Sequence, residues 1–170
     1  MTTLHSTTNA ATAVQQAEPI ARRPILRRAL IVAGGALALL VMAAAALFLW
    51  MSYVPAELDL ASTRQSAQGL YQVSYRPEVQ PVPVHQMHTW TLHVESADGR
   101  PVENAAIAVD GDMPQHGHGL PTRPQATRYL GNGDYLVEGL KFHMPGWWVM
   151  DFVITAHGQT DQVRFNLLLK

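Results

Sequence analysis

The sequence predicts an all-β fold, an immunoglobulin-like β-sandwich of about seven strands, preceded by a single N-terminal transmembrane helix. Three observations predict it. From Ala29 to Met51 the chain runs without a charge or a proline, long enough to cross a hydrocarbon core of about 30 Å as a helix. Beyond Gly69 short runs alternate apolar with polar residues, the period of half-buried strands. Turn residues punctuate those runs at the spacing of hairpins and sheet crossings. The organisation read from these features is a disordered cytoplasmic tail over 1–28, a transmembrane helix over 29–51, a stalk over 52–69 and a periplasmic β-sandwich domain over 70–170.

The tail is rich in Thr, Ala, Gln and Ser, with little to bury. Arg22, Arg23, Arg27 and Arg28 stand before the apolar run against Glu18 alone, and no Lys or Arg follows the run until Arg64. This bias holds the N-terminus in the cytoplasm and sends the remainder across, giving a single-pass inner-membrane protein with its C-terminal domain in the periplasm. Trp50 and Tyr53 suit the far interface. A cleaved signal peptide competes, but the run exceeds the usual apolar region of roughly 7 to 15 residues, which favours an uncleaved anchor.

Pro55 to Gly69 shows no sustained period and reads as a stalk. Tyr71, Val73 and Tyr75 then form one alternating row, and His88, Trp90, Leu92 and Val94 another. The turn Ala97 to Pro101 leads to a strand around Ala105 to Val109. Thr127 to Leu130 and Asp134 to Leu140 flank Gly131-Asn132-Gly133, a hairpin signal because these residues tolerate positive φ. Trp148, Met150, Phe152 and Ile154 are expected to face the core, followed after a turn at His157 by Val163, Phe165, Leu167 and Leu169.

Reversing direction at each successive strand gathers His85, Met87, His88, Met113, His116, His118, His143 and Met144 at one end of the sandwich, the end away from the stalk. His93 and His157 fall outside that group. The stretch Met113-Pro114-Gln115-His116-Gly117-His118-Gly119 puts two imidazoles and a thioether on a backbone loosened by glycine, and Phe142-His143-Met144-Pro145-Gly146-Trp147 repeats the chemistry. Imidazole suits copper, zinc and nickel, whereas thioether selects chiefly for Cu(I). His116 and His118, two apart in an extended segment, point the same way, and Asp110 and Asp112 stand near as acceptors for the second ring nitrogen. The expected ligands are His116 and His118, with Met113, His143 and Met144 completing the site, and copper as Cu(I) or Cu(II) the metal.

The chain has no cysteine, which excludes disulfides, thiolate zinc sites, iron–sulfur clusters and cysteine-ligated blue copper. No basic face for nucleic acid is present: from Pro55 onward acids outnumber bases. There is no Gly-x-Ser-x-Gly elbow, His-Glu-x-x-His helix or phosphate-binding glycine loop, so no enzyme is expected.

Asp98-Gly99-Arg100-Pro101-Val102, the Met113 to Gly119 loop, Gly133-Asp134-Tyr135 and Phe142 to Trp147 together resemble the YtkA-like domain, a family grouped with FixH-like membrane proteins. The resemblance spans Ala97 to Leu169. It implies a membrane-anchored, immunoglobulin-like bacterial domain, and FixH-like proteins are associated with copper supply to haem–copper oxidases. The expected function is a membrane-tethered periplasmic copper-binding protein that relays or delivers the ion to a cuproenzyme or a copper-transfer partner. The alternative is a metal-free interaction module of a membrane complex, whose distal loops matter for shape. Zinc in place of copper is disfavoured by the methionines.

Overall fold

The computed structural model describes residues 23–170; the part of the expected tail on residues 1–22, with Arg22, lies outside the described residues. Helix α1 (Arg23–Ser52) starts earlier than expected, so Arg23, Arg27 and Arg28 are helical and not part of the tail. Pro24 sits in its first turn, where the missing N–H has no intrahelical partner to lose. At about 1.5 Å per residue the helix is about 45 Å long. Its segment Pro24–Ser52 is long and apolar enough to cross a membrane.

The remainder is β structure: β1 (Thr63–Gln65), β2 (Tyr71–Pro77), β3 (His88–Ser96), β4 (Ala106–Met113), β5 (His118–Gly119), β6 (Gln125–Gly131), β7 (Asp134–Leu140), β8 (Gly146–Ala156) and β9 (Gln159–Leu169). They form two antiparallel sheets, one ordered β1-β2-β3-β7-β6 and the other β5-β4-β8-β9. The expected sandwich is therefore present, with seven longer strands and two short ones. The chain changes sheet after β3, after β5 and after β7, and these three crossings make the two layers one fold.

The expected inward rows are the core. Val73, Trp90, Leu92, Val94, Trp148, Met150, Phe152, Ile154 and Phe165 are buried, as the two-residue period of a strand requires. Aromatic contacts join the layers: Tyr75 meets Phe165 edge-on at 4.9 Å between ring centres, and Phe142 meets Trp148 at 5.0 Å. The phenol of Tyr135, a buried side chain of the first sheet, donates to the Val102 carbonyl at 2.7 Å and accepts from the Ala105 N–H at 3.0 Å. It thereby fixes the crossing into β4. Between β6 and β7, Asn132 and Gly133 take φ of 52° and 80°, the left-handed pair that a tight hairpin demands.

The stalk reading over 52–69 missed β1. Thr63-Arg64-Gln65 is too short and too polar to show a period, yet it pairs with β2 from Thr63↔Ser74 to Gln65↔Gln72. That additional reversal inverts the orientation inferred from strand parity. Asn166 Nδ2 donates to the Asp59 carbonyl at 3.0 Å, close to where Leu169 pairs with Gly146. The stalk thus joins the sandwich at the same end as the His143 loop, and the expectation of an opposite end is corrected. The relative grouping survives, because one extra strand before β2 flips every later strand together.

Candidate metal centre

The stretch Met113 to Gly119 is a hairpin between β4 and β5. Met113 stands opposite His118 in the register, and its carbonyl accepts the N–H groups of His116 at 3.0 Å and Gly117 at 2.9 Å. Gly117 turns the chain at φ 60°. His116 and His118 consequently lie on a turn and its return, not on one extended segment, yet their rings are parallel within 8° with centres 6.1 Å apart. From the β7–β8 connection His143 brings a third imidazole, 5.8 Å from that of His118 and edge-on. An ion about 2 Å from two ring nitrogens sets their ring centres about 6.4 Å apart in linear coordination and about 5.2–5.5 Å apart at tetrahedral or trigonal angles. Each adjacent pair is inside the linear limit, and a shared three-imidazole site requires the rings to close by a further fraction of an ångström.

The His143 ring stands edge-on to Trp148 at 5.3 Å, and the Trp148 Nε1–H donates to the Met144 carbonyl at 3.0 Å. A fully buried indole thus anchors the backbone that presents both His143 and Met144. Met144 is half-buried against the core. Met113 is only 1% exposed, and it packs so close to Gly146 that a Cβ there would lie 3.1 Å from the Met113 methyl. Its sulfur belongs to the packed end of the core, directly beneath the hairpin.

Asp110 and Asp112 do not serve as the expected acceptors. Along β4 the buried positions are Gly111 and Met113, so the intervening aspartates face outward on the opposite side of the strand. Asp110 Oδ1 instead accepts the Gly111 N–H at 2.8 Å. Sequence reasoning also missed Gln115 and Thr122. Gln115 Nε2, Thr122 Oγ1 and His143 Nδ1 are buried without a hydrogen-bond partner, as are His88 Nε2 and Trp90 Nε1. Such atoms each cost about 1–3 kcal/mol when left unpaired, and all five belong to the histidine end of the sandwich or its loops. Among the described residues no group of three or more His, Asp or Glu side chains is disposed to hold a metal. The donor set, three imidazoles with a neighbouring thioether and an unpartnered His143 nitrogen, fits a soft ion and lacks the carboxylates a hard one requires.

His157 occupies the β8–β9 turn at φ 51°, and His93 is elsewhere on the first sheet, so both stand outside the cluster as expected. His93 has a structural role. Its Nδ1 is 2.6 Å from Asp134 Oδ1 and its Nε2 3.2 Å from Glu95 Oε1. Partial burial opposes its charge, but hydrogen bonds and the charges of Glu95 and Asp134 prevail and raise its pKa. A raised pKa contributes stability fully below the unfolded value of about 6.5, lost as pH climbs through the folded value. Denaturant midpoints should therefore fall between about pH 6 and pH 8 in the parent protein, and fall less in His93→Gln.

A YtkA-like family model matches residues 68–152, half of the chain. The chain belongs to the YtkA-like family. Among solved structures, this YtkA-like protein is similar to a DUF4426 family protein from Pseudomonas aeruginosa PAO1, with 17% identity and a TM-score of 0.47. That similarity covers 64% of the present chain and 94% of the other. No curated protein matches the chain. The family match includes the Met113 hairpin and the His143–Met144 loop, and ends inside β8.

Proposed function

We propose that this YtkA-like protein is a membrane-anchored copper-binding protein that relays the ion to, or helps mature, a cuproenzyme. In this reading α1 is an uncleaved anchor of the inner membrane, the N-terminus is cytoplasmic and the β domain is periplasmic, as the arginine bias before the apolar run favours. The kinship with FixH-like proteins suggested by the motifs points to a respiratory oxidase as recipient.

The observation that carries the reading is the convergence of His116, His118 and His143 from two separate loops, with ring centres 6.1 Å apart for His116 and His118 and 5.8 Å apart for His118 and His143. His116 and His118 are the primary ligands. His143 and Met144 complete the site, and Met144 biases it toward Cu(I). Met113 supports the hairpin from beneath and becomes a ligand only if its sulfur turns out of the core. Copper bound here would be cargo, held on side chains near the surface where a partner's ligands can compete for it.

Titration of the full-length chain in detergent with Cu(I), under reducing conditions, tests the proposal. Stoichiometric binding is expected, weakened about 100-fold or more in the His116→Ala/His118→Ala variant. A folded parent protein that binds no copper above background would sink it. The burial of Met113 and the lack of a preformed three-residue site among the described residues favour one rival, a metal-free interaction module. In that case the double variant would retain every property of the parent.

A further inference from the structure

The end of the sandwich that carries the histidine cluster also carries exposed apolar side chains. Leu60, Val79, Met87 and Leu168 are 49%, 46%, 54% and 44% exposed. Leu60 and Leu168 line one groove with Pro81 and Val82, in the segment that follows Val79. Met87 stands next to His88, which opens β3 opposite Leu140 at the close of β7. The turns of the opposite end instead present Asp98, Arg100, Asn132 and His157, and among the described residues Leu130 is the one large apolar side chain exposed beside them. Such side chains scattered singly are ordinary, whereas gathered at one end they mark a contact surface.

The chain's two lysines stand there as well. Lys141 follows Leu140, and Lys170 follows Leu169, which pairs with Gly146. Glu78 and Asp59, acidic residues of the same end, are engaged by the Thr89 hydroxyl and by Arg64. Apolar side chains flanked by lysines suit the headgroup layer of an anionic bilayer, where the chains enter the acyl boundary and the ammonium groups meet phosphate. The polypeptide brings this surface to a bilayer. Only six residues, 53–58, separate the apolar segment Pro24–Ser52 from Asp59, whose carbonyl Asn166 binds at 3.0 Å. Fully extended, that link spans at most about 25 Å. Phe48 and Met51 of the last turns of α1 line a cavity with Met113, His116, Pro145 and Trp147, and all six belong to one compact unit, 47–170.

We propose that the histidine end lies on the phospholipid surface of the membrane that α1 crosses, with Leu60, Val79, Met87 and Leu168 in the headgroup layer and Lys141 and Lys170 on lipid phosphates. This rests on the reading of α1 as an uncleaved anchor and holds whether or not copper is bound. It also narrows the proposed function: a metal centre at that height exchanges its ion at the lipid surface, and the recipient that fits is one embedded in the same membrane.

Because the chain has no cysteine, single replacements place a nitroxide label at one position each. The full-length chain in nanodiscs of phosphatidylethanolamine and phosphatidylglycerol is labelled in Met87→Cys, Leu168→Cys, Asp98→Cys, His157→Cys and, within α1, Leu40→Cys. Each label's accessibility to oxygen, which concentrates in lipid, is compared with its accessibility to a water-soluble nickel chelate. Oxygen is expected to prevail at Leu40, Met87 and Leu168, and nickel at Asp98 and His157. Lys141→Glu/Lys170→Glu should raise nickel accessibility at Leu168 severalfold and leave Leu40 unchanged; no rise would overturn the lysine contacts. Labels at Met87 and Leu168 as open to nickel as that at His157, with Leu40 in lipid, overturn the proposal and keep the anchor. A Leu40 label open to nickel, or a chain shortened by loss of α1, overturns both.

Discussion

Replacing Trp148 by Ala should destabilise the β domain by about 3–5 kcal/mol and abolish the proposed copper binding with it. The indole is fully buried, and Phe142 packs edge-on against it at 5.0 Å. Its removal leaves a cavity bounded by other aromatic rings that cannot collapse to fill it. The same side chain holds the Met144 carbonyl through Nε1 and stands against the His143 imidazole. Loss of packing and loss of ligand placement are therefore one event. Trp148→Phe separates them: most of the apolar burial remains, whereas the hydrogen bond to Met144 is deleted. Its stability should fall by about 1–3 kcal/mol, and copper affinity should drop although the protein is folded. Denaturant unfolding followed by near-ultraviolet dichroism, with Cu(I) affinity on the same samples, decides it. Native affinity in Trp148→Phe would mean that the His143 loop holds its own shape and the indole only fills space.

The core was legible because burial in a sandwich leaves a two-residue period in the chain. Trp148, Met150, Phe152 and Ile154 on one strand and Val163, Phe165, Leu167 and Leu169 on the next could be read directly, and they are buried. The strand β4 was read too short. Asp110-Gly111-Asp112 resembles a turn, but Gly111 and Met113 continue the inward period while the aspartates face out. That misreading also explains why Met113 was expected as a surface ligand and why the aspartates were expected beside the imidazoles. Three polar residues of β1 carry no period at all, and missing them reversed the inferred orientation of the cluster. The proximity of His116 and His118 was expected from an extended segment, but it arises across the turn at Gly117. Strand parity put His85 and His143 at one end, but the bridge that sets their backbones side by side, Val84 with Phe142, joins two loops in parallel and leaves no local pattern.

At the opposite end of the sandwich from His143, Asp161→Asn should cost about 2–4 kcal/mol and leave copper binding unchanged. Asp161 is a buried carboxylate at the start of β9. Its oxygens accept the N–H groups of Gln68 at 3.0 and 3.1 Å, Leu70 at 3.3 Å and Gln162 at 2.7 Å, so one side chain ties the turn between β1 and β2 to the other sheet. Burial alone would raise its pKa, but the Ser66 hydroxyl and these backbone donors outweigh it and lower the pKa. Asparagine has one acceptor oxygen and turns an amide donor toward backbone donors, so the replacement leaves N–H groups unpaired. A depressed carboxylate pKa contributes stability above the unfolded value of about 3.9, and that contribution is lost as pH falls through the folded value. The parent protein should thus lose stability below about pH 4, and Asp161→Asn should show a shallower acid dependence. Because this clamp and the histidine cluster are at opposite ends of β8 and β9, stability and metal affinity should separate in this variant while moving together in Trp148→Ala. A copper affinity that fell in Asp161→Asn as far as in Trp148→Ala would show that the loops at the histidine end take their shape from the rigidity of the whole sandwich, and not from the indole beside them.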